Sequence, residues 1–354
     1  MSRKIAIIGT GAVGGYVGGY MTRAGHDVTL IDMWPAHVEA MRTNGLTLGG
    51  LTEPENFNVS QINAIHLSEL HDMGRDTLFD IAFVSTKSYD TIWATTLIQD
   101  FLAPGGYVAS LQNGINEERV AGVVGWGRTI GCIASKIAVE LIEPGKIQRN
   151  VALGGKDHTV FRVGEPHGRI TERIKEVRDL LALADSAEVT DNLWGQRWSK
   201  LVINCMRNPI AAATGRGGNA NDRDKHTRML ALGLASEAIA VGKAHGYQLD
   251  KIYGMEHQDI HAAYAGDKSA LERCEAVLFE SVATRSDEQR PSMGQDMYKH
   301  RRTEIAYLNG FVVEKAAELG MTAPLNQGIV EVVQKIERGQ LKASPKAVAH
   351  LKIG

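Results

Sequence analysis

The sequence predicts a two-part α/β protein, with a doubly wound parallel sheet in residues 1–190 and a mostly α-helical domain in residues 191–354. Short apolar runs separated by glycine turns fill the first part, and long patterns of helical period fill the second. The length of 354 residues suits two domains, and the 44% of apolar residues can supply a core for each.

Four apolar runs of strand length in the first part are typical of buried parallel strands: Ile5–Ile8, Val28–Ile31, Ile81–Ser85 and Tyr107–Leu111. The first run is followed by a glycine turn and a helix-compatible stretch to about Ala24, so the first two runs frame a βαβ unit. Residues 129–163 alternate short β-like runs with turns, which predicts an antiparallel extension of the same sheet.

The second part contains five helical patterns: Trp194–Thr214, Thr227–His245, Ser269–Ala283, Gln295–Gly320 and Ala323–Arg338. The polar stretch from Gly215 to Asp224 predicts a loop between helices, in which Asn219 and Asn221 are the only candidate ligand contacts.

Charge and cysteine usage exclude several classes of partner. The 39 basic and 41 acidic residues give a net charge of −2 without basic blocks, which argues against nucleic acid or a membrane surface as the main partner. No apolar run is long enough to span a bilayer. The three cysteines (Cys132, Cys205 and Cys274) are far apart and form no C-x-x-C motif, which is typical of free thiols in a reducing compartment. We therefore expect a soluble cytoplasmic protein.

A glycine-rich turn directly follows the first predicted strand and opens the first predicted helix. In this context Gly9 permits a tight turn, Gly11 leaves room for a pyrophosphate, and Gly14 lets the helix pack closely on the strand. The free N–H groups of the helix N-terminus then favour phosphate binding. The pattern predicts a Rossmann-type dinucleotide site formed by Gly9, Thr10, Gly11, Ala12, Val13 and Gly14.

Asp32 stands at the end of the second strand, 18 residues after Gly14. A carboxylate there can accept hydrogen bonds from the adenosine ribose hydroxyls and would repel a 2′-phosphate. The following residues, Met33, Trp34 and Pro35, supply no basic group. We therefore predict NAD as the preferred cofactor over NADP; the alternative is an aspartate that only stabilises a turn or caps a helix.

Three polar residues, Lys200, Asn204 and Asn208, recur at every fourth position of an otherwise apolar helical pattern. Such a row lines a cavity or meets another polar surface, and the alternative is a plain solvated face. Together with Pro209, this pattern resembles the hallmark of the ketopantoate reductase (2-dehydropantoate 2-reductase) family. The resemblance recurs in chain order at Gly9–Gly14, Thr86–Lys87, Gln112–Gly114, Pro291–Asp296, Thr303–Ile305 and Leu308–Gly310.

The resemblance implies an oxidoreductase that transfers a hydride between a nicotinamide cofactor and a 2-oxo or 2-hydroxy acid. It also implies a helical domain similar to that of 6-phosphogluconate dehydrogenase relatives, with the active site in a cleft between the domains. Lys200 would be the catalytic lysine, which polarises the carbonyl and protonates the alkoxide, and Glu304 would hold this lysine or bond the substrate hydroxyl. The remaining implied roles are substrate binding for Asn204, Asn208 and Ser292, and contact with the nicotinamide end for Lys87 and Asn113, with Asn113 also reaching substrate.

Each of these residues also has a purely structural interpretation. Lys87 would be a surface charge, and Asn113 with Gly114 would form a turn. Ser292 would cap a helix together with Gln295, and Glu304 would pair with a basic residue on its own helix.

The sequence also departs from the family pattern. Typical members carry a basic residue after the second strand and prefer NADPH, whereas this chain has Asp32. Residues 250–289 look longer than in compact members and would form a helix-and-loop lid. Ketopantoate is therefore the default substrate, a bulkier hydroxy acid or alcohol is the alternative, and a non-catalytic NAD(P)-binding redox sensor is the alternative of another class.

Two histidines, His257 and His261, have the spacing of metal ligands on a helix, but no glutamate lies between them and no third ligand is evident. We predict a solvated helix face and no metal site. A helical second domain permits a homodimer without requiring one.

Overall fold

The computed structural model describes residues 3–74, 77–287 and 289–351. The chain divides into two compact units, Met1–Leu193 and Trp194–Gly354, where the sequence-based prediction placed the boundary between residues 190 and 191. The first unit is an α/β sheet domain and the second is helical. The predicted fold class is confirmed.

The described part of the first unit contains twelve strands: β1 Lys4–Ile8, β2 Asp27–Asp32, β3 Leu46–Gly49, β4 Phe57–Val59, β5 Asn63–His66, β6 Phe79–Val84, β7 Leu102–Ser110, β8 Thr129–Ala134, β9 Val139–Glu143, β10 Lys146–Arg149, β11 Phe161–Gly164 and β12 Ala187–Thr190. Its helices are α1 Ala12–Arg23, α2 Pro35–Asn44, α3 Thr91–Gln99, α4 Glu117–Val124 and α5 Glu172–Ala182.

The main sheet has the order β12-β11-β8-β7-β6-β1-β2-β5. The strands from β8 to β5 in this order are parallel, while β11 runs antiparallel to β8. Alternate residues of β1 enter two separate cores, Ile5 and Ile7 on one face and Ala6 and Ile8 on the other. A strand covered on both faces explains the continuous apolar run. The chain order reverses at β1, between β2 and β6, where doubly wound sheets bind ligands.

Residues 129–163 only partly match the predicted extension. β8 and β11 pair antiparallel in the main sheet, but β9 and β10 form a hairpin in a second sheet of order β4-β3-β10-β9. This small sheet packs against α1, where glycines let it approach closely: a Cβ at Gly15 would lie 2.5 Å from Ile147, and one at Gly19 would lie 2.8 Å from Leu48. The hairpin therefore covers the outer face of α1 instead of extending the main sheet.

The helical unit contains α6 Leu193–Thr214, α7 Gly218–Arg223, α8 Lys225–Ala244, α9 His257–Tyr264, α10 Lys268–Thr284, α11 Ser292–Tyr298, α12 Asn309–Glu318 and α13 Pro324–Glu337. The predicted loop 215–224 was wrong in part, because it includes α7. Residues 250–289, apart from residue 288 outside the described ranges, contain α9 and α10. These two helices pack on each other, and α9 also packs on α8. A lid role for this segment stays a prediction.

The predicted continuous helix from Gln295 to Gly320 was wrong. It is broken after α11, where His300 adopts a left-handed conformation with φ of 51°. The Arg301 N–H donates to the Asp296 carbonyl at 2.8 Å and the His300 N–H donates to the Met297 carbonyl at 3.1 Å. These two bonds form a Schellman motif, which ends a helix and usually has glycine at the left-handed position. Because the residue at that position is histidine and not glycine, the sequence contains no glycine there that would predict the end of the helix.

Among the helices within the described ranges, none combines the length and the apolar character needed to cross a membrane.

Candidate functional site

The glycine turn between β1 and α1 is crowded at both ends and open in the middle. Gly9 has φ of 87°, and a Cβ there would lie 2.8 Å from Thr86. A Cβ at Gly14 would lie 2.2 Å from the Gly9 carbonyl oxygen, so neither position accepts a side chain. A Cβ at Gly11, in contrast, would meet no atom within 4 Å. The turn thus leaves an open space next to Gly11 that a side chain would obstruct, which fits an approaching pyrophosphate.

The first turn of α1 supplies the N–H groups for this space. Gly11 caps the helix without a side chain, and the first helical hydrogen bond runs from the Gly15 N–H to the Gly11 carbonyl at 2.9 Å. The N–H groups of Ala12, Val13 and Gly14 precede that bond and have no acceptor in the helix ladder. A helix N-terminus of this kind favours an anion.

Asp32 is tied to the glycine turn. Its Oδ2 accepts hydrogen bonds from the Thr10 N–H at 2.7 Å and the Thr10 hydroxyl at 3.0 Å, and its Oδ1 accepts one from the Trp34 N–H at 2.9 Å. A carboxylate offers about four lone pairs, so one on Oδ1 stays available to a ribose hydroxyl. The Trp34 contact is the turn role considered as the alternative, and α2 is capped by Trp34 and not by Asp32.

Two further loops of the first unit lie side by side at the ends of β6 and β7. The Gln112 side-chain amide donates to the Thr86 carbonyl and to the Thr91 hydroxyl, both at 2.9 Å. The Asn113 carbonyl accepts from the Ser88 hydroxyl at 3.0 Å and from the Asn116 amide at 2.9 Å. The structure therefore brings the loops that carry Lys87 and Asn113 together.

Lys87 and Asn113 are both half-buried. The backbone turn expected after Asn113 is present, since Gly114 has φ of 76°. This turn does not occupy the Asn113 side chain, which makes no hydrogen bond to a described residue. Lys87 precedes a short 3₁₀ turn, Ser88–Asp90.

On α6, Lys200 is half-buried, while Asn204 and Asn208 are each 6% exposed. The interpretation as a plain solvated face is therefore wrong. The Nδ2 of Asn204 is buried without a hydrogen-bond partner, and no described residue pairs with the Lys200 ammonium. A buried polar group without a partner costs about 1–3 kcal/mol. Such orphaned groups in a row are typical of a surface that binds a polar ligand.

The protein atoms around Lys200 lower the pKa of its ammonium from 10.5 to about 8, because burial disfavours the charged form. Although part of the side chain still reaches solvent, no carboxylate offsets this effect within the described ranges. Perturbed pKa values of this kind are common in catalytic groups.

Gln196, which was not among the predicted site residues, lies one turn before Lys200 on the same face of α6. Its Oε1 is also buried without a hydrogen-bond partner. The four-residue spacing of Lys200, Asn204 and Asn208, continued one step toward the N-terminus, reaches Gln196 and would have identified it.

A proline and a distant asparagine hold the α6 backbone at the end of this row. Pro209 lies inside the helix and has no N–H for the carbonyl of Cys205, four residues earlier. The Asn309 side-chain amide donates to that carbonyl at 3.1 Å and to Asn326 Oδ1 at 2.9 Å. Asn309 thus replaces the helical hydrogen bond that Pro209 removes.

Glu304 is 4% exposed and precedes the 3₁₀ turn Ile305–Tyr307, outside any α-helix. Its carbonyl accepts from the N–H groups of Tyr307 and Leu308 at 2.9 and 3.0 Å. Within the described ranges, neither a hydrogen bond nor an ion pair joins Glu304 to Lys200.

Ser292 is half-buried and is the first residue of α11, whose N-cap is Pro291. The predicted capping pair of Ser292 and Gln295 does not form among the described residues, because Pro291 and not Ser292 is the N-cap of α11. The Gln295 side-chain amide donates to the Arg290 carbonyl at 3.1 Å.

Asn219 and Asn221 are structural residues in α7. They are 1% and 6% exposed. The Asn219 amide donates to Asp287 Oδ1 at 2.6 Å and to the Arg285 carbonyl at 2.8 Å, and Asn221 Oδ1 accepts from the Thr214 hydroxyl at 3.0 Å. These hydrogen bonds connect segments within the helical unit, so the prediction of ligand contacts at these positions was wrong.

The imidazoles of His257 and His261 contact different groups and do not face a common site. His257 Nε2 contacts the Leu249 carbonyl at 3.0 Å, and His261 Nδ1 contacts the Ser236 hydroxyl at 2.9 Å.

Known proteins resemble the chain over nearly its whole length. A model of ketopantoate reductase PanE/ApbA matches residues 5–161, and a model of its C-terminal domain matches residues 192–337. The 2-dehydropantoate 2-reductase of Pyrococcus horikoshii is 32% identical over 91% of this chain and 94% of its own length. The 2-dehydropantoate 2-reductase of Archaeoglobus fulgidus is 28% identical over 95% of this chain and 99% of its own length.

A solved structure shows the same likeness. The PanE/ApbA family ketopantoate reductase from Ralstonia eutropha JMP134 is 27% identical, with a TM-score of 0.76 over 95% of this chain and 99% of that one. This likeness supports the predicted combination of a Rossmann-type domain with a helical domain of the 6-phosphogluconate dehydrogenase kind. The resemblance inferred from the sequence motifs is confirmed, and the chain belongs to the ketopantoate reductase family.

Proposed function

We propose that the protein is an oxidoreductase that reduces the carbonyl of a 2-oxo acid to a hydroxyl, with ketopantoate as the default substrate and NADH as the preferred reductant. Membership of the family implies a nicotinamide cofactor. The observation that carries the proposal is the row on α6, in which a lysine with a pKa of about 8 stands between a buried amide oxygen and a buried amide nitrogen that lack partners.

The chemistry requires a hydride at the carbonyl carbon and a proton at the carbonyl oxygen, and the reduced nicotinamide supplies the hydride when bound. Lys200 supplies the proton. Its ammonium polarises the carbonyl oxygen and stabilises the alkoxide as charge develops. With a pKa near 8 the lysine is mostly protonated at neutral pH and yet gives up its proton more readily than an ordinary lysine, as an efficient general acid requires.

The groups assigned to substrate binding are amides and a hydroxyl that the fold leaves available. Asn204 donates through its orphaned Nδ2 to a carboxylate or carbonyl oxygen of the substrate, and Asn208 acts one turn further along. Ser292 donates its hydroxyl to the substrate carboxylate, and Glu304 accepts a hydrogen bond from the substrate hydroxyl. Holding the substrate in one orientation lowers the activation barrier, by about 7–11 kcal/mol in the most favourable systems.

In the first unit, Lys87 and Asn113 are assigned to the nicotinamide end of the cofactor, with Asn113 also reaching substrate. The hydrogen bonds of Gln112 and Ser88 support this assignment because they hold the two loops in a fixed relation. The glycine turn from Gly9 to Gly14 binds the pyrophosphate.

The preference for NAD depends on Asp32. The lone pair left on its Oδ1 can accept a hydrogen bond from the ribose, while its charge would repel a 2′-phosphate. Arg42, the nearest basic residue along α2, is paired with Glu69 and donates to the Ala64 carbonyl at 2.8 Å. The Arg42 guanidinium is therefore already paired with a carboxylate and does not offer a free charge to a 2′-phosphate.

The test is a panel of 2-oxo acids, including ketopantoate and bulkier aryl compounds, with NADH consumption followed by absorbance. We expect turnover of at least one 2-oxo acid, faster with NADH than with NADPH. Turnover of a bulky acid but not of ketopantoate would favour the alternative substrate. Nucleotide binding without turnover across the panel would contradict the proposal and favour a redox sensor.

Cytoplasmic location and a homodimeric state stay predictions. The second is tested by light scattering of the purified protein.

A further inference from the structure

His37, on α2, connects the glycine turn to the second sheet. The imidazole is completely buried, and both of its nitrogens are used. Nδ1 accepts a hydrogen bond from the Gly145 N–H at 2.9 Å, and Nε2 lies 2.8 Å from the Thr10 carbonyl oxygen. Because a backbone N–H can only donate, Nδ1 carries no proton. Nε2 therefore carries the proton and donates it to Thr10, so the ring is in the neutral Nε2–H form.

Together with Asp32, this hydrogen bond holds every polar group of Thr10. Asp32 accepts from the Thr10 N–H and hydroxyl, and His37 donates to the Thr10 carbonyl. The peptide between Thr10 and Gly11 is planar and trans, so its carbonyl and its N–H point in opposite directions. Fixing the Thr10 carbonyl toward His37 therefore fixes the Gly11 N–H away from His37, at the residue that borders the open space of the turn.

We propose that His37 is a positioning residue for the dinucleotide: it sets the orientation of the peptide between Thr10 and Gly11 and fastens it to the β9–β10 turn at Gly145. The inference rests on the proposed cofactor site. The second sheet, which covers α1, thereby contributes to cofactor affinity although none of its residues belongs to the glycine turn. Trp34 stacks on the imidazole with ring centroids 5.9 Å apart and holds the ring in its plane.

Two substitutions separate the two hydrogen bonds. In His37→Gln, the side-chain amide nitrogen reaches the position of Nε2 and keeps a donor for Thr10, but the acceptor for Gly145 is lost. In His37→Asn, the side-chain oxygen takes the place of Nδ1 and keeps the acceptor for Gly145, but the donor for Thr10 is lost. Each variant loses one buried hydrogen bond of similar geometry, so their losses of stability should be similar.

The measurement is the dissociation constant for NADH, by calorimetric titration of the full chain, with thermal unfolding of each apoprotein as control. We expect His37→Asn to raise this constant about tenfold and His37→Gln to raise it less than threefold, at comparable melting temperatures. Equal effects of the two variants, or no effect of His37→Asn, would overturn the positioning role. Absence of NADH binding in the wild-type protein would instead overturn the proposed cofactor.

A second measurement does not depend on the variants folding. In wild-type protein with ¹⁵N-labelled histidine, the His37 resonances should show the Nε2–H form, and its ring proton should shift when NADH is added. An Nδ1–H form, or a ring proton that is unchanged at saturating NADH, would contradict the inference.

Discussion

Replacing Lys200 with methionine should lower kcat and, at neutral pH, raise the free energy of unfolding. Methionine fills a similar volume with a flexible apolar side chain, so the change removes the charge with little change in packing. A lysine that only supports the fold would give the opposite result, a loss of stability. The sign of the change in stability therefore separates a functional role from a structural one.

The size of the stability gain follows from the pKa. Lowering the pKa from 10.5 to about 8 corresponds to roughly 3 kcal/mol of lost stabilisation of the charged form, since each tenfold change in the acid constant is worth about 1.4 kcal/mol. Because Lys200 is only half-buried, solvent reduces this cost, and we expect the free energy of unfolding of Lys200→Met to be about 1–3 kcal/mol higher than that of the wild-type protein. For a unit of this size, each kcal/mol raises the melting temperature by about 2–4 °C.

The gain depends on pH in a defined direction. Below pH 8 the lysine is charged in both the folded and the unfolded state, so the folded protein bears the full desolvation cost. Between pH 8 and 10.5 the folded state loses its proton first, and the cost declines. The difference in stability between Lys200→Met and the wild-type protein should therefore be largest near pH 7 and should shrink toward pH 10.

The assays are urea unfolding at pH 7 and pH 10, and turnover of NADH with a 2-oxo acid. We expect kcat to fall at least a hundredfold in Lys200→Met, because general acid catalysis typically contributes that much. Lys335→Met, an exposed position on α13, is the matched control and should change neither quantity appreciably. A variant that is less stable than the wild-type protein at pH 7 and retains normal turnover would refute the reasoning.

Three further substitutions test other parts of the structure. Asp32→Asn removes the charge that repels a 2′-phosphate, so the preference for NADH over NADPH should fall from tenfold or more to less than about threefold in titrations of both nucleotides. Gln196→Leu removes a buried oxygen without a partner and should lower kcat/KM about tenfold without loss of stability; reduced stability with unchanged kinetics would contradict this. Asn309→Ala leaves the Cys205 carbonyl unpaired and should cost about 1–3 kcal/mol in urea unfolding, and an unchanged midpoint would count against the bridge across Pro209.

Those parts of the fold and of the site that depend on residues close in sequence could be predicted. The βαβ unit and its glycine turn lie within 32 residues, and the row on α6 follows from a four-residue spacing in one helix. In both cases the spacing of residue types along a short stretch of chain is sufficient to identify the feature, although the Asn309 amide also holds the α6 backbone at Cys205 from 104 residues away.

Features that depend on distant partners could not be predicted in this way. The β9–β10 hairpin has clear strand and turn signals, but these do not specify whether it pairs with the main sheet or with β3. His37 meets a turn 108 residues away. The break after α11 depends on a histidine in a conformation that usually requires glycine.

The structure also shows that two interpretations of one residue need not exclude each other. For Asp32, a turn role and a cofactor role were treated as alternatives, yet a carboxylate has enough lone pairs for both. Three backbone and side-chain donors occupy most of them, and the hydrogen bonds to Thr10 and Trp34 fix the direction of the last one. A side chain held in this way loses little conformational entropy when a ribose hydroxyl binds. The turn role therefore prepares Asp32 for the cofactor role, and Asp32→Asn should weaken NADH binding through both.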